Sequence, residues 1–123
     1  MEPVTWIYYD SKTGNVERFM NRLKMHRDWN MMKIDDSVQI EHAGHLVTYT
    51  TGFGEVPLST ISFLNNNSHL IKSVSSSGNR NWGPNFGLAA IKIAADYHLP
   101  MLMQFELSGT MADIQQFIDK IEG

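Results

Sequence analysis

The sequence predicts an α/β fold: a doubly wound, five-stranded parallel sheet in the order 2-1-3-4-5, with helices on both faces. Three observations predict it. Short apolar runs alternate with segments of helical period, and the junctions between them carry glycine, serine, threonine or asparagine. Five runs and four helical segments in strict alternation call for right-handed crossovers, which leave few other topologies. The strongest apolar runs are the first and third, which places them side by side in the middle, while the weak second run belongs at an edge.

The first strand runs from Val4 to Tyr9, a β-branched and aromatic stretch suited to a strand covered on both faces. From Asn15 onward, Val16, Phe19, Met20 and Leu23 fall on one helical face. Met31 to Ile34, followed by two acidic residues, is the edge strand. Leu46 to Thr50 is the third strand, and Pro57 opens the next helix, with Leu58, Ile61 and Leu64 facing inward. Asn65 to Ser68 then reads as a terminating turn. Leu70 to Val74 is the fourth strand, followed by a long polar loop from Ser75 to Asn85. In the third helix Phe86, Ala89, Ala90, Ile93, Ala94 and Tyr97 form one stripe. Leu88, Ile91 and Ala95 add further apolar surface, so this helix is expected to be the most deeply packed. Met101 to Leu107 is the fifth strand, and Thr110-x-x-Asp113 offers a capping box to a last helix that turns Ile114, Phe117, Ile118 and Ile121 inward.

At 123 residues the chain has room for one domain, residues 1–123. Ten basic against 13 acidic side chains give a net charge of −3. No basic field is available for nucleic acid or anionic lipid, and neither is expected as a partner. There is no cysteine, so disulfides, thiolate nucleophiles and iron–sulfur clusters are excluded and redox chemistry has to come from a bound cofactor. No apolar run reaches the roughly 18 residues of a spanning helix, and the first residues lack the order of a signal peptide; the cytoplasm is the expected location.

Ligands of such a sheet bind beyond the carboxyl ends of the strands near the switch point. Three unusual loops lie there. Asp10-Ser11-Lys12-Thr13-Gly14-Asn15 passes from strand to helix through hydroxyls, a glycine and an asparagine, and the helix N-terminus behind it suits a phosphate. The same residues also suit an ordinary capped turn. In Thr50-Thr51-Gly52-Phe53-Gly54-Glu55-Val56-Pro57, two glycines flank an aromatic, letting backbone approach a ring; a plain turn before a proline-started helix reads the same way. A dinucleotide fingerprint fails here, because the third glycine is missing and the loop follows the third strand.

The third loop, Ser75 to Gly87, is longer than most connections in a compact domain. Asn79 and Asn81 offer donors and acceptors matching the edge of a pyrimidine-like ring. Trp82 offers a flat wall, or equally a lid on the core. Between Pro57 and Ile91 the only charged residues are Lys72 and Arg80, so an uncharged planar ring suits this face. A phosphate cradle beside these two loops points to a mononucleotide, flavin mononucleotide (FMN) in preference to a dinucleotide.

Ser11-Lys12-Thr13-Gly14-Asn15 is similar to the flavodoxin phosphate loop. Thr51-Gly52-Phe53-Gly54-Glu55-Val56-Pro57, together with Ser77-Gly78-Asn79-Arg80-Asn81-Trp82-Gly83 and Phe86, resembles the NrdI proteins, flavodoxin-like partners of class Ib ribonucleotide reductase. The resemblance runs from the first strand to Glu106-Leu107-Ser108-Gly109-Thr110, with Lys24 to His45 uninformative. It implies a flavodoxin-like fold and FMN, with the phosphate on Ser11, Thr13, Gly14 and Asn15. It also implies that the isoalloxazine lies between Thr50, Thr51, Gly52, Phe53 and Gly54 on one side and Ser77, Gly78, Asn79, Asn81, Trp82 and Gly83 on the other. The implied role is a redox one: reduced flavin reacts with O2 to give superoxide, which serves assembly of the dimanganese-tyrosyl radical cofactor in the reductase's small subunit, and an electron donor reduces the flavin. Ser76 departs from the family pattern, in which glycine is expected before Ser77, and is expected to stiffen that loop. A glycine between Thr51 and Phe53 suggests that the Gly52 peptide turns its carbonyl toward the ring and tunes the redox steps.

A general flavodoxin electron carrier is the alternative, with the long Asn-Arg-Asn-Trp-Gly loop arguing against it. A phosphoacceptor receiver on the same sheet needs an aspartate where Thr50 and Thr51 stand, and a tyrosine phosphatase needs a cysteine. The histidines are scattered, with His42-x-x-His45 the one close pair, so no metal site is expected. Met20, Met101 and Met103 read as core filler.

Overall fold

The computed structural model describes residues 4–35, 37–52 and 54–123. One parallel sheet has the strand order β2-β1-β3-β4-β5, as the alternation of runs predicts. Its strands are β1 (Trp6–Tyr9), β2 (Asn30–Lys33), β3 (Gly44–Tyr49), β4 (Ile71–Gly78) and β5 (Met101–Glu106), and its helices α1 (Asn15–Lys24), α2 (Leu58–Asn67), α3 (Leu88–Tyr97) and α4 (Met111–Glu122). Short 3-10 turns cover Ser68–Leu70 and Arg80–Asn85. Among the described residues no helix is long and apolar enough to cross a membrane.

Alternate residues of each central strand feed two cores. On one face Ile7, Tyr9, Val47, Met103 and Phe105 meet Val16, Phe19, Met20 and Leu23 of α1 and Ile114, Phe117 and Ile118 of α4. Phe19 sits at the centre, stacked on Phe105 at 4.2 Å and edge-on to Phe117 at 5.4 Å, geometries that add to plain burial. On the other face Tyr8, Leu46 and Val74 meet Phe63 and Leu64 of α2 and Ala90 and Ile93 of α3. The capping box is present: Thr110 Oγ1 accepts from the Asp113 N–H, and Asp113 accepts from the Thr110 N–H.

Several boundaries differ from expectation, each for a local reason. Val4 is 66% exposed and β1 begins at Trp6. Pro57 stands as the cap of α2 in an extended conformation (φ −59°, ψ 141°), outside the helix it was expected to open. Leu58 is consequently exposed, and Thr60, Phe63, Leu64 and Asn67 face inward. Asn65 to Ser68 is no turn; α2 continues through Asn67, whose buried side chain donates to the carbonyls of Val38 and Phe63 and accepts from the Ile40 N–H, all at 2.9 Å. That amide stands in for secondary structure across residues 38–40.

β4 runs four residues past the expected end at Val74, taking in Ser75, Ser76, Ser77 and Gly78. Buried serines are tolerated there because most of them find partners. Ser76 Oγ donates to the Gly87 carbonyl at 2.7 Å and accepts from the Ala90 N–H at 3.0 Å, while Ser77 Oγ donates to the Leu107 carbonyl at 2.6 Å. Ser76 therefore fastens the start of α3 from within the sheet. The helix α3 begins at Leu88, beyond Phe86, and packs against β3, β4 and β5, with Ile91, 45% exposed, and Ala95, also exposed, on its outer side. Helix α1 buries larger side chains, Phe19, Met20 and Leu23, completely. Met101, at the open start of β5, is exposed and not core. Leu107 leaves the strand, turning with φ 53°.

Candidate functional site

The carboxyl ends of β1, β3 and β4 meet at a cleft of about 400 Å³. Its walls are Ser11, Lys12, Thr13, Asn15 and Val16 from the β1–α1 junction, Tyr49, Thr50, Thr51 and Gly52 after β3, Ser77, Gly78 and Asn79 at the end of β4, and Leu107 after β5. Nine residues singled out from sequence are thus brought together: Ser11, Thr13, Asn15, Thr50, Thr51, Gly52, Ser77, Gly78 and Asn79.

The β1–α1 junction is built as an anion cradle. Gly14 caps α1 in the left-handed conformation (φ 95°), which a side chain resists, and the first N–H groups of α1 point toward the loop. Ser11 Oγ accepts from the Glu17 N–H at 3.2 Å, so its own hydroxyl proton remains free to donate. Lys12, exposed at the rim, adds positive charge. Beneath the loop, Asp10 is buried and accepts from Ser59 Oγ at 2.5 Å and Thr60 Oγ1 at 2.7 Å. Thr60 in turn meets Thr48 at 2.8 Å. These bonds tie the end of β1 to the first turn of α2.

The second loop closes on itself. Thr51 and Glu55 exchange backbone hydrogen bonds of 2.9 and 2.7 Å, and Gly52 and Gly54 take positive φ values of 54° and 98° between them. The space around a Cβ at Gly52 is open apart from the Glu55 carboxyl at 3.7 Å. Thr50 sits below, accepting from the Ala89 N–H at 3.3 Å. In the third loop Asn79 Oδ1 accepts from the Asn81 N–H at 2.9 Å and so caps the 3-10 turn. The Arg80 guanidinium lies 4.6 Å over the Phe86 ring.

Gly14, Gly54, Asn81 and Gly83 stand behind or beside the cleft and do not line it. A Cβ at Gly14 would meet the Arg18 guanidinium at 2.8 Å, and one at Gly54 would meet Leu88 at 2.8 Å. Asn81 and Gly83 are exposed on the 3-10 turn. Phe53 and the Trp82 side chain lie outside the described residues.

Lys12, Val16, Tyr49 and Leu107 line the cleft and were not anticipated as site residues. The first three adjoin anticipated ones, and closer attention to strand ends would have found them. Leu107 had a weaker signal, an apolar residue before Ser-Gly-Thr. It holds its left-handed conformation because its N–H donates to the Gly78 carbonyl at 2.9 Å while its own carbonyl accepts from Ser77. Tyr49 also borders a second cavity of about 740 Å³ with Asp10, Glu55 and Ser59. Burial pushes its phenol pKa up, the Asp10 charge adds to the rise, and a hydrogen bond with Ser59 offsets part of it. It is therefore a neutral hydroxyl-bearing wall at neutral pH.

Hydroxyls and helix N–H groups at one end, and backbone-rich, uncharged walls at the other, suit a ligand with an anionic tail and a planar polar ring. Comparison with known proteins is consistent with that chemistry. Residues 7–119 match the family described as "NrdI Flavodoxin like". The chain is 46% identical over 114 residues to the SPbeta prophage-derived protein NrdI of Bacillus subtilis, covering 93% of this chain and 88% of that one. It is 46% identical over 116 residues to Protein NrdI of Bacillus licheniformis, covering 94% and 86%. Among solved structures, a short-chain flavodoxin associated with a non-canonical PDU bacterial microcompartment superimposes with a TM-score of 0.74 at 15% identity, covering 98% of this chain and 95% of that one.

Proposed function

The chain belongs to the NrdI flavodoxin-like family, and from that premise we propose that it is an FMN-binding redox protein that assists class Ib ribonucleotide reductase. The observation that carries the reading is the cleft itself, in which hydroxyl and helix N–H donors on one loop face backbone-rich loops after β3 and β4. Its volume, about 400 Å³, lies in the range of small-molecule and cofactor sites. The donor set fits the group: Ser11, Thr13 and Asn15 with the α1 N-terminus would hold the phosphate, and Lys12 at the rim supplies charge.

The ring would lie against Thr50, Thr51 and Gly52 on one side and Ser77, Gly78 and Asn79 on the other, with Phe53 and Trp82 as further candidate walls. Bound and reduced, FMN would supply one electron to O2, giving superoxide for assembly of the dimanganese-tyrosyl radical cofactor in the reductase small subunit. The chain's own residues bind and orient. Thr51 and Glu55 hold the loop that presents the Gly52 peptide, whose positive φ leaves its carbonyl able to turn without a side-chain clash. Tyr49 and Leu107 complete the lining of the cleft. An electron donor and O2 complete the set of partners, and the cytoplasm is the proposed location.

The test is reconstitution. The purified protein is expected to take up one FMN with a flavin visible spectrum, to produce superoxide when reduced and exposed to air, and to raise radical yield in a manganese-loaded class Ib small subunit. Reoxidation without superoxide would remove the activation role, and a failure to bind FMN would remove the whole reading.

A further inference from the structure

We infer that Arg18 and Ser108 are positioning residues that lock the Asn15 side-chain amide with its N–H donors turned toward the phosphate of the bound mononucleotide. The inference rests on the proposed FMN site and adds to it two side chains that do not themselves touch the ligand. Arg18 Nε donates to Ser108 Oγ at 2.9 Å, Ser108 Oγ donates to Asn15 Oδ1 at 3.0 Å, and Arg18 Nη2 donates to the same Oδ1 at 2.7 Å. The three side chains form a closed ring, joining α1 to the β5–α4 loop across 90 residues of sequence.

The ring settles a question that an isolated asparagine leaves open. Rotating the amide by half a turn would aim its NH2 group at a guanidinium that can only donate, so the carbonyl must face Arg18. The Nδ2 group then has no protein acceptor among the described residues, while Asn15 lines the cleft at the start of α1. An anion there meets an amide donor whose orientation is already set, and the cost of ordering it is removed before binding. The guanidinium also lies beneath Gly14, where a Cβ would come within 2.8 Å of Nη1. Gly14 thus leaves the guanidinium room as well as adopting its positive φ.

The experiment is titration of FMN and of riboflavin, which lacks the phosphate, into the full chain and its Arg18→Met, Arg18→Lys and Ser108→Ala variants. Arg18 is exposed on its helix, and these variants are expected to fold. Arg18→Met should weaken FMN binding about tenfold and Ser108→Ala several-fold, the loss of one or two charge-assisted or oriented bonds, with riboflavin affinity unchanged. Lysine at 18 should recover only part of the loss, since it carries the charge without the planar fork. In an Asn15→Ala background, Arg18→Met should have little further effect. Unchanged FMN affinity, an equal loss for riboflavin, full recovery by lysine, or an undiminished effect without Asn15 would each overturn the inference while leaving the FMN reading intact. A wild-type chain that binds neither flavin would overturn both.

Discussion

Ser59 donates a 2.5 Å hydrogen bond to the buried carboxylate of Asp10, joining the first turn of α2 to the end of β1. Because Asp10 immediately precedes the β1–α1 loop, this bond and its neighbour from Thr60 set the floor on which that loop stands.

Asp10→Ala should lower unfolding free energy by about 2–3 kcal/mol, since two hydroxyls lose a charged acceptor. The readout is a urea midpoint with unchanged slope. A loss under about 0.5 kcal/mol would show that water replaces the carboxylate at no cost.

Stability should depend on His45. Burial, with the Lys72 charge adding to it, drives its pKa from 6.5 to about 4, and Ser73 Oγ lies 2.6 Å from Nδ1. Between those two values the unfolded chain takes up a proton that the folded chain refuses. The contribution is complete above pH 6.5 and is lost as pH falls toward about 4. Thermal melts of His45→Gln across that window should slope less than wild type; parallel slopes would contradict the assignment.

Asn67→Ala removes all three hydrogen bonds of a buried amide at once. We expect a loss of about 2–4 kcal/mol, together with faster amide exchange at Ile40, whose N–H loses its acceptor. Protection at Ile40 equal to wild type would show that the segment is held by other means.

Ser75→Ala should go the other way. Ser75 Oγ is buried without a hydrogen-bond partner among the described residues, and deleting an unsatisfied hydroxyl stabilises by about 0.5–1 kcal/mol. A lower melting temperature in the variant would point to a partner for that oxygen.

Gly52→Val tests the peptide proposed to face the ring. With φ at 54°, a β-branched side chain costs about 1–2 kcal/mol and restricts the peptide. The gap between the two one-electron potentials of bound FMN should then shift by tens of millivolts, about 59 mV for each tenfold change in equilibrium. An unchanged gap would leave Gly52 as turn chemistry alone.

The order of the sheet was legible because it depends on hydrophobic contrast, and β1 and β3 are far more apolar than β2. The ends of elements depend on individual polar contacts, which contrast does not report. Ser75, Ser76 and Ser77 look like loop residues until Gly87, Ala90 and Leu107 are seen to accept and donate to two of them. Leu58 looks buried until Asp10 draws Ser59 and Thr60 inward and turns the helix. The candidate site divides in the same way. Loops that carry their own signature, such as Ser11 to Asn15, were found, whereas Arg18 and Ser108 belong to it only through a contact between distant segments.

The backbones of Gly78 and Gly87 approach so closely that a Cβ on the first would lie 2.4 Å from the nitrogen of the second. The chain between them is therefore an arc whose two feet touch, moored to β5 by the Arg80 N–H on the Glu106 carboxylate at 3.1 Å and by Gln104 Nε2 on the Phe86 carbonyl at 3.2 Å. With both feet fixed, a change of conformation at the crown of the arc stays local to the cleft's outer edge and leaves strand register untouched.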